Sequence, residues 1–341
     1  MKWILVAMVI LLVGAAVIVS VRRRTPAAPR LSEEARRAEA NELMKRLPTL
    51  EGYPFEVRYS ATAREQAVRL ADLTRAAYAY FADLFTNASP TFTATYLAPA
   101  DWRRGYGMPS YQPVERRLRV ATDDNPLWQS FGRIARVASP FSAYPRLKKT
   151  YADENGNLRL RRFFDLLAVH ELAHAFEEQG GVAFPTHWMR EIYANLALHA
   201  FIAKTRPNDL PSLTALPEAQ MRITAFNLMM RLNGYTNLDD FDRHYPAGNP
   251  KAPMSEPNYG WYQVRFHAMA REMFDAEGEG VLKRLWTFGK AEATHRQRAS
   301  DYFREHGTLS GWSDEVSAKD LVPKLASDVS PRLAQTVRMW N

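Results

Sequence analysis

Near the middle of the chain, residues 166–175 read L-L-A-V-H-E-L-A-H-A, so that His170, Glu171 and His174 form H-E-x-x-H. Residues four apart share one face of a helix, one turn up. His170 and His174 can therefore present imidazole nitrogens to one point. Zinc takes that geometry from two of its ligands, and Glu171 stands beside it as a carboxylate able to accept a proton from water there. Residues 163–176 contain no Gly or Pro, are mostly apolar, and are followed by Gly180 and Gly181. That is the pattern of a buried helix. The competing reading is an ordinary core helix whose two histidines hydrogen-bond to backbone.

Past Pro185, Thr186 is a candidate N-cap for a second helix, H-W-M-R-E-I-Y-A-N-L-A-L-H-A-F-I. Within it Glu191, Asn195 and His199 recur every fourth residue, a polar stripe on an apolar helix. A zinc enzyme holds its ion with three protein ligands and keeps one position open. Glu191 is the expected third ligand. Asn195, one turn on, is expected to orient a ligating histidine through its other ring nitrogen. On the competing reading Glu191 pairs with an arginine on a half-exposed face.

H-E-L-A-H followed by W-M-R-E-I-Y-A resembles the gluzincin metallopeptidases, in which the third ligand is a glutamate on the next helix. The likeness is greatest to the aminopeptidase-type members, whose second segment runs W-x-x-E-x-x-A. Trp188, Glu191 and Ala194 match it residue by residue. The spacing from His174 to Glu191 is slightly shorter than in the well-known branches, which marks a divergent member. Gly180 stands where a metzincin would carry its third histidine, so that plan is excluded. The matching motifs cover about thirty contiguous residues.

The resemblance implies a Zn2+ cofactor, a peptide or protein substrate, and Glu171 as general base. It also implies an α+β fold of two lobes. A small mixed sheet and the H-E-x-x-H helix would occupy residues 31–181, and an all-α lobe with the third ligand residues 182–341. Such enzymes stabilise the oxyanion with a tyrosine at the start of a helix in the second lobe. Tyr259 matches that place, Tyr262 competes one turn on, and His187, His199 and His267 are further substitutes. Residues 105–111, G-Y-G-M-P-S-Y, fall where the family places the edge strand that pairs with substrate. Pro109 occupies the position of the glutamate that holds a free amine in aminopeptidases, which weighs against an aminopeptidase more than against a peptidase. The same stretch also reads as a plain surface loop.

The elements that must position these residues follow from periodicity. Residues 31–47 and 62–85 read as helices, and 53–60, 91–97 and 116–121 as strands. Residues 128–137 read as a short helix and 158–162 as a last strand before the H-E-x-x-H helix. Residues 207–217 look like a linker and 218–232 like a helix. From Asn258 onward the pattern is helical.

A chain of 341 residues can bury a sizeable core. It has no cysteine, which excludes disulfides and thiolate ligands. Five of its 45 basic residues, Lys2, Arg22, Arg23, Arg24 and Arg30, precede residue 31, leaving 40 against 37 acids. The formal +8 is thus concentrated at one end, and nucleic acid is not an expected partner. Residues 3–21 carry no charge and are apolar apart from Gly14 and Ser20. They approach the ~20 apolar residues of a bilayer-crossing helix, so residues 1–30 read as an uncleaved membrane anchor and spacer. The basic residues after the run favour a cytoplasmic body, whereas the enzymes the chain resembles mostly work outside. An extracytoplasmic body is the expectation. The rival function is a catalytically inactive gluzincin-fold binding or scaffold module, against which the intact Glu171 argues. A purely structural helical membrane protein would hold no metal. The apolar run predicts that the full chain stays with membranes through high-salt and alkaline washing. Release by the alkaline wash would show that residues 3–21 do not span.

Overall fold

Short strands with apolar inward positions come first, and helices follow. Helix α1 (Glu33–Arg46) leads into β1 (Thr49–Leu50) and β2 (Glu56–Tyr59), in which Val57 and Tyr59 turn inward. Helix α2 (Arg64–Leu84) buries Ala67, Leu70, Ala71, Leu73, Thr74, Ala77 and Phe81, the helical spacing of one face. It returns the chain to β3 (Thr93–Leu97), parallel to β2. Strand β4 (Ser110–Gln112) turns back antiparallel onto β5 (Arg117–Ala121), and β5 inserts beside β3 in parallel. The five-stranded mixed sheet has the order β1-β2-β3-β5-β4, which puts β4 on its edge. Its inner strands β3 and β5 are buried at four successive positions, as strands covered on both faces are.

The computed structural model describes residues 33–86, 88–102, 108–244, 254–306 and 317–340. The apolar run at 3–21 and residues 105–107 of the expected edge segment lie outside them. No helix among the described residues is long and apolar enough to cross a membrane. The fold is mixed α+β and mostly helical. After β5 come α3 (Pro126–Ala138), α4 (Tyr144–Tyr151), α5 (Arg161–Gln179), α6 (His187–Thr205), α7 (Leu210–Met221), α8 (Thr224–Asn233), α9 (Leu238–His244), α10 (Glu256–Glu277), α11 (Gly280–His306), α12 (Ala318–Asp328) and α13 (Pro331–Trp340).

Helices α5 and α6 are the centre of the molecule. α5 packs on α2, β4, β5 and α6, while α6 packs on α5, α9, α10 and α11. α6 is buried almost all round, from Trp188 to Ile202. An aromatic cluster pins the pair. Phe85 stacks on Trp286 of α11 at 4.2 Å, Phe81 meets Phe176 edge-on at 5.5 Å, and Tyr193 joins from α6. Gly180 ends α5 against this cluster, where a Cβ would lie 2.4 Å from the Trp286 ring. Gly181 follows in the left-handed region at φ 64°. Each buried aromatic of this kind contributes about 1.5–3 kcal/mol.

Local signals explain some of the element ends. Asn125 caps α3 by accepting from Trp128 N at 3.0 Å, with Pro126 in the first turn. Residues 158–162 do not form the expected strand. Leu158 makes one isolated bridge to Ala152, and α5 has already begun at Arg161. Residues 207–217 are not a linker either, because α7 starts at Leu210. Pro211 sits in its first turn, where no N–H is needed, and Pro217 is buried inside it.

His199 lies buried on α6 with its ring 5.4 Å from that of Phe274. Burial holds its pKa down to about 4, below the ordinary ~6.5. Between those values the unfolded chain binds the proton and the folded chain does not. Stability therefore rises with pH across that window and is lost on acidification, by at most about 1.4 kcal/mol per pH unit for one group. Chemical denaturation of wild type and His199→Gln at pH 7 and pH 5 should show a smaller acid loss in the variant. Equal losses would contradict this account of the core histidine.

Candidate metal centre

The i,i+4 spacing on α5 turns both imidazoles toward α6, and their Nε2 atoms stand 3.2 Å apart. Glu191, buried on α6, brings its Oε2 to 3.4 Å from His170 Nε2 and its Oε1 to 4.0 Å from His174 Nε2. Two ligand atoms held ~2.0–2.1 Å from one ion at the tetrahedral angle stand about 3.3 Å apart. The spacing and the two-nitrogen, one-carboxylate donor set fit a divalent ion. His170, His174 and Glu191 form a buried group that could hold a metal, and among the described residues no other such group occurs.

Charge in this pocket is set by mutual proximity. Burial alone would raise the Glu191 pKa, but the His170 and His174 rings and the Gln263 amide carry it down to about 2. Glu191 is therefore an anion. Burial opposes a charge on His174, yet hydrogen bonding to Glu177 and the nearby Glu191 raise its pKa. Burial raises the pKa of Glu171, with His170 and His174 pulling the other way.

Three residues that the sequence did not single out support the ligands. Glu177 accepts from His174 Nδ1 at 2.9 Å, which fixes Nε2 as the nitrogen facing the site. Arg190 Nε holds the other Glu177 oxygen at 2.6 Å. Gln263 of α10 donates to Glu191 Oε2 and to Tyr259 Oη, both at 2.7 Å. Only Glu177 left a signal in the sequence, as a carboxylate three residues beyond His174 on the same helical face. The other two need the tertiary fold.

Asn195 does not orient a histidine. Its amide donates to the Glu191 carbonyl at 2.8 Å and to Gln263 Oε1 at 3.2 Å, because this face of α6 meets α10. His170 Nδ1 is buried without a hydrogen-bond partner among the described residues. Thr186 occupies the N-cap position of α6 but its side chain makes no capping bond. Asp242 of α9 does the capping, accepting from His187 N at 2.8 Å and Trp188 N at 3.2 Å.

The two candidate tyrosines diverge. Tyr259 joins the site through Gln263, the residue that also holds Glu191. Tyr262 is buried against Phe241 and Trp340, and its hydroxyl donates to the Asn237 carbonyl at 2.6 Å. Burial raises its pKa further. Of the histidine substitutes, His187 starts α6, His199 faces Phe274, and His267 packs 5.6 Å from the Phe163 ring with its pKa held down to about 3 by burial.

Glu171 faces the sheet. Its Oε2 accepts from the backbone N–H of Tyr111 at 2.7 Å, so the edge strand β4 touches the candidate base directly. The Tyr111 hydroxyl donates to Glu178 at 2.7 Å, tying β4 to the end of α5. A cleft of about 670 Å³ is lined in part by Glu177, Phe184, Arg190 and Asp242. It reaches Glu177 and Arg190, and none of His170, Glu171, His174 and Glu191 is in its lining.

Removing the support of His174 should loosen the ion without removing a ligand. Glu177→Ala is expected to lower metal affinity about 10–100-fold, read by competition with a chromophoric chelator. Unchanged affinity would mean that Glu177 does not act through His174. Comparison with protein-family models, curated proteins and solved structures finds no match to this chain, so the function of the site rests on its own atoms.

Proposed function

We propose that the chain is a zinc-dependent peptidase of gluzincin type, held at a membrane by residues 3–21, with its body on the extracytoplasmic side. The observation that carries this is the convergence of His170 Nε2, His174 Nε2 and the Glu191 carboxylate on one point, with Glu171 between the two histidines in sequence and against the sheet edge. Nitrogen and carboxylate donors in this number suit zinc. Bound there, zinc would acidify a water and polarise a scissile carbonyl. On this reading the sheet-bearing residues 31–181 and the helical residues 182–341 are the two lobes of such an enzyme.

Glu171 then moves the proton. Its carboxylate is aimed by the Tyr111 N–H, takes a proton from the attacking water and delivers it to the leaving amine. Its raised pKa suits a group that must carry a proton in mid-reaction. An extended peptide would lie along β4, which has β5 as its one strand partner among the described residues and whose Tyr111 N–H is held by Glu171. Tyr259, fixed by Gln263, is the hydroxyl we assign to the developing oxyanion. Tyr262 serves the fold.

Variants separate these roles. Glu171→Gln should keep metal and fold while losing about 10²–10⁴-fold in peptide hydrolysis, because an amide cannot accept the proton. Glu191→Gln should weaken metal binding first, with excess zinc restoring part of the activity. Tyr259→Phe should keep metal and lower kcat by roughly 10²-fold, whereas Tyr262→Phe should lower Tm with little change in kcat. Near-normal hydrolysis by Glu171→Gln would sink the mechanism. A wild type that retains zinc and cleaves no peptide in a broad library would transfer the site to the binding-module reading.

A further inference from the structure

Between Asn125 and Ala152 the chain carries five basic residues and no acidic one. Arg146 alone among them is tied down, by Glu218 and Thr214 of α7. Arg133 and Arg136 on α3, and Lys148 and Lys149 in the last turn of α4, are exposed and have no acidic partner among the described residues. The same stretch of chain displays apolar side chains. Ile134 and Val137, one turn apart on α3, are 40% and 70% exposed, and Phe141 just beyond the helix is 98% exposed.

A single apolar residue on a surface is ordinary. Three of them close in sequence, beside four cations that have no acidic partner among the described residues, are another matter. A protein surface meeting water alone gains nothing from a phenyl ring held fully out. An anionic bilayer matches both halves of the patch, since apolar tips enter the acyl boundary and Lys and Arg meet the headgroups. The apolar run, if it spans as proposed, keeps the folded body near a bilayer. Only residues 22–32 separate the apolar run from α1, and that stretch reaches about 40 Å at most.

We propose that the exposed side chains of residues 133–149, at the end of α3, at Phe141 and in the last turn of α4, dock on anionic lipid and orient the folded body against the membrane. This goes beyond the peptidase reading; it rests on the membrane anchor proposed with that reading and not on the catalytic roles.

The absence of cysteine allows one fluorophore to be placed at will. Phe141→Cys, and Met339→Cys as an exposed control on α13, would each carry an environment-sensitive label in the full chain, reconstituted into vesicles. Vesicles of phosphatidylcholine alone would be compared with vesicles containing about a third phosphatidylserine. The label at position 141 should shift to the blue and be quenched by brominated lipid in the anionic vesicles only, while the label at 339 stays accessible to aqueous quencher in both. Adding Arg133→Glu, Lys148→Glu and Lys149→Glu to Phe141→Cys should abolish the shift. A label at 141 as water-exposed as the control in anionic vesicles would overturn the proposal, as would an equal shift in neutral vesicles or one that survives charge reversal.

Discussion

Ionisable groups buried between two apolar helices govern this structure. Glu191 is almost wholly removed from water on a helix whose buried side chains are mostly Trp, Met, Ile, Leu, Ala and Phe. An isolated carboxylate there would cost several kcal/mol. It stays ionised because two imidazoles lie within about 4 Å and an amide donates to it. The same closeness leaves two ring nitrogens facing each other at 3.2 Å, an arrangement that a cation between them would complete. Helices α5 and α6 must therefore be held at one separation and one rotation. The aromatic cluster of Phe81, Phe85, Phe176, Tyr193 and Trp286 does this from one side.

Polar supports complete the constraint from the other sides. Arg190 on α6 reaches back to Glu177 on α5, so the helix that carries Glu191 also orients His174. Gln263 links Glu191 and Tyr259, so α10 cannot move relative to α6 without disturbing the carboxylate. Tyr111 joins the sheet edge to Glu171. Through these contacts the candidate ligands and base are tied to more than one element. Such supports matter because an ion site displaced by even about 1 Å loses its geometry.

The parts of this site legible in the sequence are those set by one helix or by adjacent ones. His170 and His174 share a face by helical period alone, and Glu191 follows on the next helix after a glycine break. Gln263 and Arg190 act across packed faces, and periodicity does not say which face meets which. For that reason the four-residue spacing points Asn195 toward a histidine, although its side of α6 meets α10. The pattern likewise offers Thr186 as the cap that Asp242 supplies from a helix far along the chain. The fold behaved alike. β2, α2, β3 and β5 announce themselves by alternation or spacing, whereas the insertion of β5 between β3 and β4 is a tertiary choice. Residues 207–217 misled because two prolines suggest a linker, although Pro211 is harmless in a first turn and packing holds Pro217 inside the helix.

The account stands or falls on an ion at one point. Crystals of the folded protein grown with zinc, measured above and below the zinc absorption edge, would give an anomalous difference map. The account predicts one peak per chain at about 2.0–2.2 Å from His170 Nε2, His174 Nε2 and a Glu191 oxygen. A map with no peak there, or with zinc bound only elsewhere, would contradict it.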